Sequence, residues 1–380
     1  MTDGATGGTA MRIAFLSNSN SLHLKEWAEY FAGPLGHRVT VFTIPAPAEP
    51  YRNGVEVVHL GNRFTGNKLA WLALLPRLRR ELAARRPDLF VGYRVVSYGF
   101  LAALAGYRPL VLAAQGGDMV WPPDDRLGLF CVRAACRRGD LFNAWSANIR
   151  DEMIRHGADP AKIMVCSRGI ELGLFPRLPD KPPAPPVIAM TRSLLPSYNT
   201  IQFVEAMAVV ARERPDAVAE IAGDGPERPR LEARARELGL LGASIRFAGR
   251  LSREAIVALV GRAQVYCSTT ITDGLPLSHF EAMAAGCFPV VTDIAANRVW
   301  FRDGENALLA PVGDPASLGA ALLRALSDEP LRRRAVAANR ALIEREFDRE
   351  ANMRRIEEAW RGLATSYRSG GGSRRPRAGR

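Results

Sequence analysis

The stretch from Ser268 to Asp293 reads STTITDGLPLSHFEAMAAGCFPVVTD, and it decides the fold of this chain. A short apolar run precedes it, and a polar loop leads into an alanine-rich segment that predicts a helix ending at Gly286. The β-branched run that follows predicts a strand. Strand, loop, helix and strand in this order build a parallel sheet, whose ligands bind where a strand ends. The loop around Asp273 is therefore the first candidate for a binding site.

This loop has the features of a site for an anionic ligand. The free N–H groups and the dipole at a helix N-terminus attract phosphate, and Gly274 allows a ligand to approach the backbone. Pro276 stiffens the entry to the helix. Glu281, about one turn into the helix, can accept hydrogen bonds from the vicinal hydroxyls of a ribose, and Asp273 can do the same for a sugar. An ordinary turn with two solvated carboxylates fits the same spacing.

Three segments of this stretch resemble the donor-site signature of a large enzyme family: Asp273–Leu277, Glu281–Gly286 and Pro289–Val291. The family is the retaining glycosyltransferases of GT-B fold (family 4, group 1), in which an acidic residue is followed by seven others and then Glu. Asp273 stands where the family usually has Glu. The resemblance covers the C-terminal half and, more loosely, the N-terminal half. It implies an α/β protein with two Rossmann-like domains that face each other across a cleft.

The resemblance also assigns roles to residues on the donor side. Glu281 would hold the ribose, Asp273 the donor sugar, and Arg192 the diphosphate. A lysine that accompanies this arginine in the family is missing here, and Ser197, Tyr198 or Asn199 stands in its place. The remaining donor-site assignments are the phosphate cradle and the residues along the nucleobase: Gly274, Leu275, Pro276 and Leu277 for the cradle, and Gly223 and Arg250 for the base. A surface cation is the alternative for Arg192.

The N-terminal half begins with a predicted strand, Met11–Ser17, and a helix that carries Leu24, Trp27 and Phe31 on one face. It lacks G-x-G-x-x-G, so a dinucleotide site is not indicated. In many members of the family a histidine that contacts the donor sugar occupies the position of Gln115. A glutamine offers a donor and an acceptor but cannot carry a proton. The candidates on the acceptor side are His23, Arg94 and Asp118, although a single histidine at a helix start more often has a structural role.

The predicted organisation runs as follows: a flexible leader at 1–10, an N-terminal acceptor-side domain at 11–175, a Pro-rich linker at 176–186, a nucleotide-sugar-binding domain at 187–345, a helix at 346–365 that crosses back to the first domain, and a basic disordered tail at 366–380. The chain of 380 residues is long enough for two domains, and no apolar run reaches the length of a membrane span. The N-terminus lacks a secretory pattern. We therefore expect a cytoplasmic protein, with its five scattered cysteines as reduced, buried thiols.

The net charge of +12 favours an anionic partner. The segment from Arg368 to the end holds five arginines and no acid, which leaves +7 on the rest of the chain. The predicted helix at 70–86 crowds five arginines around a leucine stripe. They form either a solvated face or a contact to anionic lipid at the inner membrane face. Neither zinc-ligand spacing nor an RNA-binding aromatic pattern accompanies the charge, so nucleic acid is the least supported partner.

The predicted function is the transfer of a sugar from a nucleotide diphosphate sugar, with uridine as the expected base, to a hydroxyl acceptor. The resemblance implies retention at the anomeric carbon. We expect no metal ion, because the sequence has no D-x-D cluster, and no cofactor. Two alternatives stay open. One is an epimerase or phosphorylase on the same fold. The other is a non-catalytic subunit that binds a sugar nucleotide, which the missing lysine and histidine would suit.

Overall fold

A computed structural model describes residues 9–61, 70–116, 119, 126–176 and 185–370. Its internal contacts divide the chain into two compact units, Met1–Arg168 with Met353–Arg380 and Gly169–Asn352. This division falls seven residues before the predicted domain end at 175, and the predicted linker at 176–186 lies mostly outside the described residues. Among the helices of the described ranges, none combines the length and apolarity that a membrane span needs.

The first unit contains a parallel sheet of seven strands in the order β3-β2-β1-β4-β5-β6-β7. Its elements, in chain order, are β1 Arg12–Leu16, α1 Leu22–Ala32, β2 Arg38–Thr43, β3 Glu56–His59, α2 Leu75–Arg85, β4 Leu89–Tyr93, α3 Phe100–Ala105, β5 Leu110–Ala114, α4 Arg126–Cys136, β6 Leu141–Ala144, α5 Ala147–Arg155 and β7 Ile163–Val165. The central strands are apolar along their whole length and fully buried, as in β4 and β5. Burial on both faces is what a parallel sheet covered by helices requires.

The second unit contains a parallel sheet of six strands in the order β10-β9-β8-β11-β12-β13. Its elements are β8 Val187–Thr191, α6 Thr200–Glu213, β9 Val218–Ala222, α7 Arg228–Glu237, β10 Ile245–Gly249, α8 Arg253–Arg262, β11 Val265–Ser268, α9 Leu277–Ala284, β12 Phe288–Thr292, α10 Ala295–Arg298, β13 Leu308–Ala310, α11 Pro315–Ser327 and α12 Glu329–Glu346. The stretch that decided the fold forms β11, a loop, α9 and β12, as predicted. The first strand of this unit, β8, lies in the middle, and the strand order reverses between β8 and β11, which is the usual place of a ligand site.

Two predicted segments differ from the structure in their boundaries. The helix predicted at 70–86 is a 3₁₀ turn over Ala70–Leu74 followed by α2. Pro76 explains the break, because proline has no N–H to donate and fits only the first turn of an α-helix. The last helix, α13 Arg349–Ser369, continues through the first positions of the tail predicted at 366–380, and residues 371–380 lie outside the described ranges. Arg368 in its final turn pairs with Asp88, at 2.9 Å from Nη2 to Oδ1.

Helix α13 packs an apolar stripe into the core of the first unit. Met353, Ile356 and Trp360 recur at helical spacing and are fully buried. The Trp360 ring stacks on Phe31 with 4.8 Å between ring centroids and contacts Phe15 at 6.0 Å. Aromatic side chains bury large areas, so this cluster contributes strongly to the stability of the unit.

Replacing Trp360 by Ala should lower the free energy of unfolding of the first unit by about 3–5 kcal/mol, because it removes a fully buried ring and leaves a cavity. Urea unfolding followed by circular dichroism measures the change. Glu358→Ala, an exposed position on the same helix, is the matched control and should leave the unfolding curve in place. Equal midpoints for both variants would contradict this account of α13.

Candidate active site

Several predicted site residues of the second unit follow the carboxyl ends of neighbouring parallel strands. Arg192 follows β8, Gly223 follows β9, Arg250 follows β10, and Asp273 lies in the loop after β11. Because all strands of this sheet run parallel, these positions lie along one edge. Arg192 and Asp273 belong to the two strands on either side of the point where the strand order reverses.

Arg192 and Asp273 form an ion pair at this point. Arg192 Nη2 lies 2.5 Å from Asp273 Oδ2, and Nη1 donates to Ser278 Oγ at 3.1 Å. Only 11% of the Arg192 side chain is exposed. Burial by itself would lower the pKa of Arg192, but Asp273 and the Tyr198 and Tyr266 hydroxyls outweigh it and raise the pKa above its ordinary value. The edge of the sheet therefore carries a permanent, nearly buried cation beside a carboxylate.

The three residues in place of the family's lysine have different contacts. The ring of Tyr198 lies under the Arg192 guanidinium, 4.1 Å from its carbon to the ring centroid, which is a cation–π contact. The carbonyl of Ser197 accepts from the Ile271 N–H. Asn199 begins α6 in a left-handed conformation with φ 47°, and its amide donates to Gln202 at 2.9 Å. An aromatic ring, rather than a second charge, is what accompanies Arg192 here.

The loop before α9 forms hydrogen bonds between its own residues. The Gly274 N–H donates to Asp273 Oδ1 at 2.8 Å, and the Leu277 N–H donates to the Leu275 carbonyl at 3.0 Å. Leu275 and Leu277 are buried and fix the loop onto the unit. These two N–H groups belong to the predicted phosphate cradle and are engaged within the loop itself. Asp273 thus links the loop to Arg192.

Glu281 is held by an arginine that the sequence did not single out. Glu281 is 8% exposed, and its Oε1 accepts from Arg253 Nη1 at 2.6 Å. Arg253 is the first residue of α8, which Ser252 caps by accepting from the Ala255 N–H. The Arg253 guanidinium also lies 5.2 Å from the centroid of the Phe175 ring. Glu281, the partner of Arg253, is 28 residues away in the chain, and no local signal in the sequence indicates this contact.

Backbone conformation and close packing require a glycine at position 223. Its φ of 144° is one that side-chain-bearing residues rarely adopt. A Cβ atom there would lie 1.9 Å from the Arg192 carbonyl oxygen. The Gly223 N–H donates to the Gly249 carbonyl at 2.7 Å. Gly223 therefore sets how closely the strand ends around Arg192 approach each other. Arg250 is exposed at the same edge.

A fully buried histidine that feels the charge of Arg192 was missed in the sequence. His279, on α9, packs against Tyr266 and Phe301, with 5.4 and 5.9 Å between ring centroids. Neither ring nitrogen has a hydrogen-bond partner among the described residues. Burial, with the Arg192 charge added, holds the pKa of His279 well below its ordinary value. The imidazole is therefore neutral, which avoids a second cation next to Arg192.

The candidates of the first unit also follow strand ends. Gln115 follows β5, and its Oε1 accepts a hydrogen bond from the hydroxyl of Tyr93, which is buried at the end of β4. Arg94 is exposed after β4, with φ 76°. Asp118 lies outside the described residues. The Tyr93 contact fixes the orientation of the Gln115 amide, which leaves its NH₂ group to donate to a ligand.

His23 lies near the start of α1. Its ring packs edge-on against Trp145 with 5.7 Å between centroids, and Nδ1 is 3.9 Å from Glu26 Oε2. Glu26 in turn pairs with the buried Arg168 at 2.7 Å. His23 therefore has both the structural contacts and the partial exposure that the sequence left as alternatives.

The buried state of His279 predicts a pH dependence of stability. The folded chain keeps the imidazole neutral, whereas the unfolded chain binds a proton below about pH 6.5. Stability should therefore fall as the pH drops from 7 to 5, by at most about 1.4 kcal/mol per pH unit from this residue. Melting temperatures at both pH values measure it, and His279→Leu should lose less on acidification than the unchanged chain. Equal losses of stability in the unchanged chain and in His279→Leu would contradict the assignment to His279. The buried His37 and His156 are present in both proteins, so they cannot cause a difference between them.

Comparisons with known proteins show which family this chain resembles. The family description "Glycosyl transferases group 1" matches residues 176–342, and "Glycosyltransferase Family 4" matches residues 21–174. The phosphatidyl-myo-inositol mannosyltransferase of Mycobacterium leprae is 32% identical over 197 residues, which are 52% of this chain and 50% of that protein. The glycogen synthase of Mycobacterium tuberculosis is 27% identical over 214 residues, 56% of this chain and 51% of that protein. The matches thus span about half the length of these relatives.

Solved structures confirm the fold predicted from the sequence. Anabaena HepE in complex with UDP and glucose superposes with a TM-score of 0.77 at 20% identity, covering 93% of this chain and 100% of that one. Sucrose-phosphate synthase from Thermosynechococcus elongatus gives 0.79 at 18% identity, with 94% and 100% covered. Identities this low show the fold alone, which is the GT-B fold of two Rossmann-like units. With both family matches, the chain belongs to the group 1 glycosyltransferases of family 4 type.

Proposed function

We propose that this protein is a retaining glycosyltransferase that moves a sugar from a nucleotide diphosphate sugar, preferentially a UDP-sugar, to a hydroxyl acceptor. The observation that carries the proposal is the nearly buried Arg192, held at the reversal point of the second sheet with Asp273 beside it. A guanidinium at such a position is the group expected to bind a diphosphate, because its planar fork matches phosphate oxygens.

The proposed reaction breaks the bond between the anomeric carbon and the diphosphate oxygen. Negative charge then grows on the leaving phosphate, where Arg192 and the N-terminus of α9 stabilise it. The donated glycosyl unit forms its new bond to the acceptor oxygen. The proton of the acceptor hydroxyl goes to the leaving phosphate oxygen, because Gln115 has no group that could take it.

Recognition of the nucleoside is assigned to residues around Glu281. Its carboxylate, oriented by Arg253, would accept hydrogen bonds from the two ribose hydroxyls. The turn at Gly223 and the loop at Arg250 would line the base. Uridine is favoured because UDP is the nucleotide in the HepE structure that shares this fold. Gln115 keeps the contact to the donor sugar that the resemblance implies, and His23, Arg94 and Asp118 remain the candidates on the acceptor side.

A sugar-nucleotide-binding subunit without activity is the competing function. Tyr198, which contacts Arg192 where a lysine would stand, favours it, because a ring adds no net charge against the diphosphate. Release of free UDP from UDP-sugar, with or without an acceptor, distinguishes the two. Any turnover above the background rate excludes the inactive subunit.

Arg192→Ala should reduce kcat by about 10²–10³, the loss typical when one group that stabilises a developing oxyanion is removed. Coupled detection of released UDP gives the rate, and circular dichroism checks the fold. Arg246→Ala, an exposed arginine on β10 of the same unit, is the matched control and should keep the original rate. An Arg192→Ala enzyme with unchanged kcat would remove the diphosphate assignment.

The ribose assignment predicts a selective loss. Glu281→Ala should weaken UDP binding by about 10–100-fold, since hydrogen bonds to charged groups contribute about 1.5–3 kcal/mol. The unchanged chain should prefer UDP over 2′-deoxy-UDP, and the variant should bind both equally, as titration calorimetry can measure. Arg253→Ala, which releases Glu281 from its partner, should show an intermediate preference. A variant at Glu281 that still discriminates between UDP and 2′-deoxy-UDP would show that another group holds the ribose.

A further inference from the structure

The Arg192 guanidinium makes two kinds of contact within the second unit. Two of its nitrogens are hydrogen-bonded, because Nη2 donates to Asp273 and Nη1 donates to Ser278 Oγ at 3.1 Å. The third nitrogen, Nε, is buried and has no hydrogen-bond partner among the described residues. The second kind of contact is with the Tyr198 ring, whose centroid lies 4.1 Å from the guanidinium carbon.

The two kinds of contact respond differently to a diphosphate. Phosphate oxygens bind a guanidinium through its N–H groups, so they compete with Asp273 and Ser278 for the same donors. A cation–π contact is an electrostatic attraction to the face of the ring and takes up no N–H group. The contact between Tyr198 and Arg192 can therefore persist while the hydrogen-bond partners of the arginine are exchanged.

The position of the Tyr198 ring is set by the loop that follows β11. Tyr198 is the last residue of a 3₁₀ turn, Pro196–Tyr198, between β8 and α6. Thr269 Oγ1 donates to the Tyr198 carbonyl at 2.9 Å, and the Ile271 N–H donates to the Ser197 carbonyl at 3.1 Å. Thr269 is fully buried, so loss of this bond would leave its hydroxyl without a replacement from water.

The loop that holds Tyr198 also carries Asp273. This loop is fastened to the next strand of the sheet, because Thr292 Oγ1, at the end of β12, donates to the Thr270 carbonyl at 2.5 Å. One segment therefore sets both the carboxylate and the ring that contact Arg192. A change of partner at the carboxylate leaves the support of the ring in place.

We propose that Tyr198 is a positioning residue, whose ring holds the Arg192 guanidinium in place while phosphate oxygens replace Asp273 on Nη2. The inference rests on the proposed function, in which Arg192 binds the diphosphate. The sequence from 192 to 200 contains no lysine, so this segment supplies one cation to the diphosphate. A single cation stabilises the charge of a leaving group best when it is oriented before that charge develops.

Titrations with UDP and with uridine separate the contribution of the diphosphate from that of the nucleoside. Tyr198→Leu should weaken UDP binding by about 3–30-fold, the range expected for a cation–π contact that is partly removed from water. The same variant should bind uridine within about twofold of the unchanged chain, because uridine has no phosphate for Arg192 to bind. Tyr198→Phe keeps the ring and should restore UDP binding to within about twofold.

A double variant distinguishes a positioning role from a structural one. In the Arg192→Ala background the ring has no guanidinium to hold, so the addition of Tyr198→Leu should change UDP binding by less than about twofold. Thr269→Val removes the donor to the Tyr198 carbonyl, and its UDP affinity should lie between those of Tyr198→Leu and the unchanged chain. Thr269→Ser keeps the hydroxyl and should bind UDP more tightly than Thr269→Val.

Thr200→Val is the matched control for Thr269→Val. Thr200 is buried two residues after Tyr198, and its hydroxyl has no hydrogen-bond partner among the described residues. This variant should bind UDP within about twofold of the unchanged chain.

The outcomes separate this inference from the proposed function. UDP binding that Arg192→Ala leaves unchanged would overturn both. If Arg192→Ala weakens UDP binding, three results would overturn the positioning role alone: unchanged UDP binding in Tyr198→Leu, equal losses for UDP and uridine in that variant, or the same loss from Tyr198→Leu with and without Arg192.

Discussion

The ion pair between Arg192 and Asp273 is the interaction on which the second unit's site depends. Both side chains are mostly removed from water, and the pair lies where two strands diverge. A buried pair contributes little net stability, but removing one partner leaves an uncompensated charge that costs about 3–5 kcal/mol. Its geometry is therefore tightly constrained by its neighbours. Gly223 allows the Arg192 backbone to pass close to β9, and Tyr198 supports the guanidinium from one side.

The neutral state of His279 follows from the same constraint. A protonated imidazole within reach of the Arg192 charge would add a second cation to a site with one carboxylate. Aromatic contacts with Tyr266 and Phe301 hold the ring without offering a hydrogen-bond acceptor that would favour the proton. His279 is thus a buried, neutral side chain, and the charges of the site are those of Arg192 and Asp273.

The sequence predicted the strand, loop, helix and strand from β11 to β12 because their signals are local. Turn residues, helix-forming alanines and a β-branched run lie next to each other in the chain. Arg253 could not be predicted as the partner of Glu281, because a charged residue at a helix start has no local signal for a contact 28 residues away. The same limit explains why the contacts of the arginines on α2 and α13 were not predicted. Whether an arginine faces solvent, donates to a backbone carbonyl or pairs with a carboxylate depends on tertiary neighbours, as Arg79 with the Leu104 carbonyl and Arg368 with Asp88 demonstrate.

Two arginines of the site, Arg192 and Arg253, are paired with carboxylates. A diphosphate that binds Arg192 through Nη2 would displace Asp273 from it, whereas Nε has no hydrogen-bond partner among the described residues. The exchange is nearly balanced in charge, because a phosphate oxygen replaces a carboxylate oxygen on the same guanidinium. Displacement frees the Asp273 carboxylate, which is an acceptor for sugar hydroxyls. Binding of the diphosphate and recognition of the sugar would then be one coupled step, and a nucleotide without a sugar would leave Asp273 Oδ2 without the donor that Arg192 provides, with only the Gly274 N–H on Oδ1.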